Sequence, residues 1–477
     1  MLSREEELSH LSVPIWRCDT GLKLAFQEDG ERSRLLVSRK DSVKCGTSSM
    51  ANAYFNFTNS IIGSGLIGLP FSLAQAGLPL GMLLLFLVAL ITDYSIILLI
   101  KGGKLSGTHS YQALVHGTFG FVGFMILSVL QFLYPFIAMI SYNIITGDTM
   151  TKVFQTIPGV GSGSFLSSRH FVIVISTVFF TGPLSLYRDV AQLGKVSLVS
   201  MVLTLAIVIT VVVRAVTLGP QIPLSQDAWV FARWNAVQAV GVMAFAFICH
   251  HNSFMIYESL PEPSLRNWSR VTHGSVGSAA LVSAVFAVAG YATFTGFTQG
   301  DIFENYCKND ILATFGRFCY GLSIITTFPL ECFVTREVVS NVFYNGALSN
   351  TVHIIVTLAI ISAVTAISLF YDCLGVVLEL NGVVSATPLI FIIPSACFLK
   401  LSGGNWFQRK RLIPGLILTI GVCVMIIGLV MTALYAQDCS HGAEMFYCKL
   451  TDSSGPTFST DSRVLQIINA TQNISIF

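Results

Sequence analysis

The sequence predicts an all-α polytopic membrane protein with eleven transmembrane helices. Its 477 residues are 53% hydrophobic and only 11% charged, whereas a soluble domain carries about 25% charged residues. This composition excludes a soluble enzyme or binding module as the main body of the protein. The net charge of +2, with no long basic block, also argues against a nucleic-acid-binding chain.

Eleven stretches of mainly apolar residues are long enough to cross a bilayer as helices, which takes about 20 residues each. Such continuous runs are typical of helices and not of the alternating strands of an outer-membrane barrel. The predicted spans are Ala51–Gly77, Leu78–Ile100, Phe121–Thr146, His170–Leu186, Gly194–Val216, Ala236–Tyr257, Val271–Phe297, Ile311–Val334, Val352–Phe370, Cys373–Leu399 and Leu412–Tyr435.

The distribution of Lys and Arg predicts the orientation. With a cytosolic amino terminus, 19 of the 27 Lys and Arg residues fall on the cytosolic side and 8 on the other side, as the positive-inside rule requires. This predicts a cytosolic tail (residues 1–50), a transmembrane domain (51–435) and an extracellular or lumenal tail (436–477). The first tail has no signal-peptide pattern. The second carries glycosylation sequons at Asn469 and Asn473, which agree with its predicted side.

The first predicted span contains a run of helix-breaking residues. Gly63, Gly65, Gly68 and Pro70 fall within eight residues, and a regular helix does not hold such a composition. A broken backbone inside a bilayer is tolerated only where protein or a water-filled cavity satisfies its free N–H and C=O groups. This break is therefore expected to face a binding site, although small residues also serve close helix–helix packing.

The sixth predicted span is interrupted near its middle by the polar run Cys249-His250-His251-Asn252-Ser253. Interrupted helices at corresponding positions of two halves are the sequence sign of a secondary transporter's binding site. Helices 1–5 and 6–10 are therefore expected to form two inverted repeats, with helix 11 at the periphery. The placement of the breaks, and not similarity between the halves, is the basis for this repeat.

The chemistry of such a site suits an α-amino acid. N–H groups at the start of a half-helix carry partial positive charge and bind a carboxylate. The candidate carboxylate site is the backbone of Gly63, Ser64 and Gly65. Freed carbonyls bind an ammonium group or a hard cation. The carbonyls near Ile61 and Phe247 are the candidate ammonium ligands.

Oxygen-bearing side chains inside the spans are candidate ligands for a coupling cation. Asn59 shortly precedes the first break, and Thr326 and Thr327 precede Pro329 in the eighth span. A cation such as Na⁺ takes oxygen ligands of this kind. The structural alternative is hydrogen bonding between helices for the asparagine, and bonding to the helix's own backbone for the threonine hydroxyls.

Three titratable residues are candidates for proton coupling. Histidine titrates near neutral pH and an intramembrane carboxylate is a functional hypothesis by default, which selects His250, His251 and Glu379. Asp93 and Glu331 are instead expected at water-exposed helix ends. No His and Cys group has the spacing of a transition-metal site, and no catalytic or nucleotide motif appears. The sequence therefore predicts a protein that is not an enzyme and has no cofactor.

Four of the eleven cysteines lie on the outer side, at positions 307, 319, 439 and 448. Either the pair Cys307–Cys319 or the pair Cys439–Cys448 is able to form a disulfide in an oxidising exterior. Spacing does not settle the pairing. The other seven are expected to be free thiols.

The broken first helix resembles a motif of the sodium-coupled neutral amino acid transporters, a family whose first helix reads F-N-x-S-N-A-x-x-G-S-G-I-x-G-L. Here the run is Phe55-Asn56-Phe-Thr-Asn59-Ser-Ile-Ile-Gly63-Ser64-Gly65-Leu-Ile-Gly68-Leu. The sixth helix is similar to the family's M-A-F-S-F-x-C-H-x-S stretch, here Met243-Ala-Phe-Ala-Phe247-Ile-Cys249-His250-His251-Asn252-Ser253.

The resemblance extends from Ala51 to about Tyr435 and implies a LeuT-like fold with sodium-coupled uptake of small neutral amino acids, glutamine prominent among them. Some members also counter-transport protons. The family's sodium site uses an asparagine of helix 1 and a threonine of helix 8. These correspond to Asn59 and to Thr327 or its neighbour Thr326. Two cysteines that pair between helices 5 and 6 in well-known members have no counterpart here.

These observations together predict a secondary active transporter with a central site between helices 1, 3, 6 and 8. Tyr142 or Asn143 is expected to close the site, and Na⁺ is expected between Asn59, the carbonyl of Ile62 and Thr327. The expected location is the plasma membrane or the lysosomal membrane, and the sequence does not decide between them. Two alternatives stay open: a proton-coupled permease of the same fold without sodium, and an amino acid sensor that does not transport.

Overall fold

The computed structural model describes residues 49–161, 163–188, 194–344, 348–403, 408–435 and 445–448, and within these ranges it contains helices and no β-strand. Nearly all of the two predicted tails lies outside the described residues. So do Cys439 and the sequon residues Asn469 and Asn473. The description that follows is therefore that of the transmembrane domain and of one short segment after it.

Sixteen α-helices make up the described part of the chain. In chain order, α1 to α16 are Met50–Ile61, Leu69–Ala76, Leu78–Ser106, Tyr111–Gln155, Arg169–Ser176, Gly182–Ser185, Gly194–Thr217, Ala236–Phe247, His250–Glu258, Leu265–Phe294, Ile302–Asn305, Ile311–Phe343, Asn350–Phe370, Leu374–Asn381, Ile393–Leu401 and Arg409–Leu434. Short 3-10 or π segments join several of them, among them Ser64–Gly68 between α1 and α2 and Thr177–Thr181 between α5 and α6.

Among the described residues, nine helical segments are long and apolar enough to cross a membrane, and α1 and α2 count as a tenth when the bent pair is taken as one span. The fourth predicted span is a shorter apolar helix, Arg169–Ser185. Large apolar side chains on the outer surface, such as Leu90, Phe121 and Leu281, are more than 60% exposed. A soluble protein rarely shows such a surface. The prediction of an all-α polytopic membrane protein is therefore confirmed. The predicted number of eleven spans is not reached by the nine or ten that the described residues contain.

The two halves of the first broken span, α1 and α2, are buried to different extents. All eight residues of α2 are buried, whereas only Ala53, Phe57 and Ile61 are buried in α1. α2 packs against α8 and α10, while α1 packs mainly on α10 and α9. α2 is thus enclosed by the bundle. α1, on the side predicted to be cytosolic, is more exposed.

A disulfide ties the segment after α16 to the loop between α10 and α12. It joins Cys307 to Cys448, 141 residues apart, so the predicted pairings Cys307–Cys319 and Cys439–Cys448 are wrong. Cys319 is instead a buried free thiol in α12. Cys373 is also disulfide-bonded, which corrects the expectation of a free thiol there. Tyr447 anchors the segment further, because it is 4% exposed and its hydroxyl donates a hydrogen bond to the Asn305 carbonyl (2.6 Å).

We expect Cys448→Ser and Cys307→Ser each to destabilise the protein by about 2–4 kcal/mol, because either change opens the same covalent loop. The double variant should melt at the same temperature as each single variant in a thermal-unfolding assay of the purified protein. Cys423→Ser, at an exposed free cysteine, is the matched control and should melt like the wild type. A wild-type melting temperature for Cys448→Ser would contradict the proposed contribution of the bond.

Charged side chains cluster beneath this loop. Lys152 and Glu304 form a salt bridge (2.8 Å) in which both side chains are about 10% exposed. Asp301 caps α11, accepting a hydrogen bond from the Phe303 N–H (2.8 Å), and its other oxygen is buried without a hydrogen-bond partner among the described residues. Burial, and then the Glu304 carboxylate, raise the pKa of Asp301 to about 7.

This raised pKa predicts a pH-dependent stability. Between about pH 4 and pH 7 the folded protein keeps a proton on Asp301 that the unfolded chain has lost, so stability falls as pH rises through this window, by at most about 1.4 kcal/mol per pH unit. Asp301→Asn should remove this fall. The measurement is the melting temperature of wild type and variant from pH 4 to pH 8. Asp227→Asn, at an exposed loop position, should keep the wild-type slope, and an unchanged slope in Asp301→Asn would refute the assignment.

Candidate functional site

The first span is broken where the sequence predicts it. α1 ends at Ile61, Ile62 and Gly63 are non-helical, and a 3-10 turn begins at Ser64, so that the two halves are bent by 50°. The N–H of Gly63 donates a hydrogen bond to the Ile61 carbonyl (3.0 Å). One lone pair of that predicted ammonium ligand is therefore in use. The first N–H groups of the new turn, those of Ser64 and Gly65, have no partner within their own helix.

The sixth span breaks one residue before its polar run begins. α8 ends at Phe247, Ile248 and Cys249 are non-helical, and α9 begins at His250. Phe247 and Cys249 are completely buried. The last carbonyls of α8 have no partner within the helix, and they end inside the bundle beside the first break.

The two breaks touch each other. A Cβ atom added to Gly65 would lie 2.4 Å from the Cα of Ala246 in α8, so the backbones are in direct contact and only glycine fits. On the other side of the breaks, Asn252 of α9 donates a hydrogen bond to the Ser60 hydroxyl of α1 (2.8 Å). The structure therefore brings together the predicted carboxylate and ammonium sites.

A cavity of about 20 Å³ lies next to the first break, between α7, α10 and α12. A space of this size holds one water molecule or one small ion. Its lining includes Gly63 at the break and four serine and threonine residues, namely Ser200, Thr204, Ser323 and Thr327. The remaining lining is Leu66, Ile67, Ile207, Phe286, Tyr320 and Ile324.

The hydroxyls around this cavity form a network. Ser200 lies 2.8 Å from the Ser323 hydroxyl and 3.3 Å from the Thr327 hydroxyl. Thr327 donates its proton to the Ser323 carbonyl (2.8 Å), so its oxygen accepts in the contact with Ser200 and keeps a second lone pair for another partner. Several neutral oxygens facing one small space are the ligand type that a hard monovalent or divalent cation prefers.

The predicted cation ligands are only partly brought together. Thr327 lines the cavity, but Asn59, Ile62 and Thr326 are not among its lining residues. Thr326 bonds to the same Ser323 carbonyl as Thr327 (2.8 Å each), so the bonding to the helix's own backbone that the sequence left as an alternative is present for both threonines. Ser200 was missed by the sequence analysis. The sequence signal for it was weak. Ser200 and Thr204 of α7 lie four residues apart, as do Ser323 and Thr327 of α12. This spacing indicates a shared site only once the two helices face each other.

The two candidates of the third span point to different places. Tyr142 is buried, and its hydroxyl lies 3.5 Å from Glu331 of α12, the outer limit of a hydrogen bond. Asn143 donates to Thr365 of α13 (3.3 Å) and so faces away from the breaks. Glu331 was expected at a water-exposed helix end, and this was wrong, because one of its carboxyl oxygens is buried.

Both histidines follow the second break, in the first turn of α9, and their surroundings differ. His250 is 1% exposed, and its Nε2 lies 2.6 Å from the Ser95 hydroxyl, which itself donates to the Ile390 carbonyl (2.5 Å). This arrangement makes Nε2 the donor, so that the proton sits there. His251 packs against the Tyr134 ring at 5.8 Å. The Nδ1 atoms of both histidines are buried without a hydrogen-bond partner in the described part of the chain.

Glu379 of α14 lies deep in the bundle, at 1% exposure. Its carboxyl group accepts hydrogen bonds from Gln75 of α2, from Gln238 of α8 (3.1 Å) and from Thr432 of α16 (3.3 Å). Three neutral donors surround this carboxyl group, and they link α2 and α8 to α16. Nowhere in the described residues do three or more His, Cys, Asp or Glu side chains come together as a metal site would require.

Comparison with known proteins identifies the family to which this sequence is similar. Residues 46–435 match the family described as "Transmembrane amino acid transporter protein". A Danio rerio protein named "Putative sodium-coupled neutral amino acid transporter 11" is 70% identical over 94% of this chain and all of its own length. A Homo sapiens protein of the same name is 60% identical over 84% of this chain and 99% of its own.

More distant matches agree with the fold. "Vacuolar amino acid transporter 2" of Saccharomyces cerevisiae is 30% identical, with 84% of this chain and 86% of that protein covered. A solved structure of a mutant manganese transporter from Eremococcus coleocola has a TM-score of 0.54 at 15% identity, covering 90% of this chain and 95% of the other. The likeness to this transporter shows a shared fold of the LeuT-like type.

These findings confirm two expectations from the sequence. The resemblance to sodium-coupled neutral amino acid transporters holds over nearly the whole transmembrane domain. The family and the relatives are transporters, so the protein is not an enzyme. The family model spans both breaks and every helix from α1 to α16, and the chain therefore belongs to the transmembrane amino acid transporter protein family.

Proposed function

We propose that this protein is a secondary active transporter that couples the movement of a small neutral amino acid, such as glutamine, to Na⁺. The observation that carries the proposal is the hydroxyl-lined cavity next to the broken first span. It places neutral oxygen ligands within reach of the same break that offers N–H groups to a substrate carboxylate. A cation and an amino acid bound at one break stabilise each other reciprocally, which is what coupling requires.

In this proposal the breaks hold the α-amino and α-carboxyl groups of the substrate. The N–H groups of Ser64 and Gly65, at the start of a new helical turn, receive the carboxylate. The carbonyl of Phe247 and the second lone pair of the Ile61 carbonyl receive the ammonium group. Tyr142 forms part of the wall on the side of α4.

The proposed Na⁺ site consists of Thr327, Ser323 and Ser200 together with carbonyl oxygen from the first break. Asn59 and Ile62 belong to the proposal as ligands that join when α1 closes against α12. The open packing of α1 supports such a movement. The two inverted repeats, a peripheral helix 11, a cytosolic amino terminus and an extracellular or lumenal carboxyl terminus complete the proposed architecture.

The names of the relatives support sodium coupling, since the Danio rerio and Homo sapiens proteins are both called sodium-coupled. Proton antiport is the second part of the proposal. His250, with a buried Nδ1 atom that has no hydrogen-bond partner among the described residues, is its best-placed carrier, followed by His251. Glu379, with three donors around it, is the least suited of the three.

The test is uptake of labelled glutamine by the purified protein in liposomes, with an inward Na⁺ gradient and with choline in place of Na⁺. We expect uptake that requires Na⁺. Equal uptake in choline, driven by a pH gradient, would replace the sodium proposal with a proton-coupled permease. Binding of glutamine without uptake in either salt would favour a sensor.

A further inference from the structure

Glu331 is a partly buried acidic residue that the proposed function does not use. Its Oε2 atom is buried and has no hydrogen-bond partner in the part of the chain that the structure describes. Its Oε1 atom lies 3.5 Å from the Tyr142 hydroxyl, far beyond the usual O–H···O distance of about 2.7–2.8 Å. The carboxyl group is thus held only weakly by protein donors.

Other acidic residues in the spans have closer partners, although Asp93 too has one buried oxygen without a hydrogen bond among the described residues; its other oxygen lies 2.6 Å from His273. Asp148 lies 2.6 Å from the Arg169 side chain, and Glu379 accepts three hydrogen bonds.

Both arginines of α12 are engaged elsewhere. Arg336 donates to the Ser185 carbonyl (2.9 Å) and to Thr357 (3.0 Å), and Arg317 donates to the Phe303 carbonyl (2.9 Å). A buried carboxylate without a cation or a full set of donors is costly, which suggests that its partner arrives from outside the chain.

The position of Glu331 indicates the chemical class of that partner. It lies one helical turn after Thr327, on the same helix, and it contacts Tyr142 from α4. Earlier in α4, Tyr134 packs against Phe245 and His251, which lie on either side of the second break. Glu331 therefore belongs to the wall opposite the breaks. With the α-groups of an amino acid fixed at the breaks, its side chain is directed toward this wall.

We propose that Glu331 binds the positively charged side chain of a basic amino acid, so that lysine-like and arginine-like substrates share the site with neutral ones. This rests on the proposed location of the substrate site. An ammonium or guanidinium group supplies both the charge and the donors that the Oε2 atom lacks. A neutral substrate leaves Glu331 to Tyr142, which explains how one site accepts both classes.

The test is competition binding to the purified full-length protein, with labelled glutamine displaced by lysine, arginine or norleucine. Norleucine has the length of lysine without its charge. We expect lysine and arginine to displace glutamine, and Glu331→Gln to weaken both by about tenfold or more, in line with the loss of a charged partner, while glutamine and norleucine change less than about twofold. Glu337→Gln, six residues further along α12, is the matched control and should leave all affinities unchanged.

Three results would overturn the proposal. Lysine and arginine that do not compete in the wild type would exclude a cationic side chain from the site. An equal loss of glutamine and lysine in Glu331→Gln would indicate a structural role. A variant that changes only the Na⁺ or pH dependence of glutamine binding would assign Glu331 to an inorganic cation or a proton. Because binding is measured without flux, a failure of sodium-coupled transport is distinguishable from each of these.

Discussion

Thr327→Ala is expected to weaken strongly the stimulation of glutamine uptake by Na⁺. The substitution removes one oxygen from the cavity next to the first break, and it also breaks the contact with Ser200. Na⁺ is held by oxygen ligands, so losing one ligand of a small set should raise the Na⁺ concentration for half-maximal uptake by at least about tenfold, which corresponds to about 1.4 kcal/mol. The measurement is uptake into liposomes against Na⁺ concentration.

The neighbouring residue makes this experiment discriminating. Thr326 has the same side chain and the same bond to the Ser323 carbonyl, but it does not line the cavity. Thr326→Ala should therefore keep the Na⁺ dependence of the wild type. If Thr326→Ala loses the stimulation and Thr327→Ala keeps it, the cation binds elsewhere than in this cavity. Ser200→Ala, on the facing helix, should reproduce the Thr327→Ala phenotype.

Gly65→Ala is expected to prevent the two breaks from packing and to remove both folding yield and transport. The added Cβ would lie 2.4 Å from the Cα and 2.9 Å from the Cβ of Ala246. A backbone atom cannot move aside as a flexible side chain does, so the cost exceeds the roughly 1–3 kcal/mol typical of an overpacked core. The measurements are the yield of monodisperse protein on size exclusion and its melting temperature.

Gly63→Ala provides the contrast at the same break. A Cβ at Gly63 would meet no atom within 4 Å, and its φ of −126° is open to any residue. The variant should be purified in wild-type yield and melt normally. A severe folding defect in Gly63→Ala, with Gly65→Ala tolerated, would contradict the contact between the first break and α8.

The sequence predicted the features that local chemistry controls. The glycines and proline of the first span locate its break within a residue or two, and the polar run of the sixth span places the second break only slightly late. The cavity was not predictable in full, because Ser200 and Ser323 are ordinary serines in apolar helices until α7 and α12 are packed together. The disulfide pairing failed for the same reason. Cys307 and Cys448 are 141 residues apart, and only the folded bundle brings them into contact.

That disulfide closes residues 307–448 into a covalent ring. The ring contains α12 to α16, including the helix that carries Ser323 and Thr327 and the one that carries Glu379. A chain cut between α12 and α13 would leave two fragments that stay joined until a reductant is added. The later helices are therefore covalently linked as one unit. The first broken span lies outside the ring, and it is held to it by packing and by the hydrogen bond from Gln75 to Glu379.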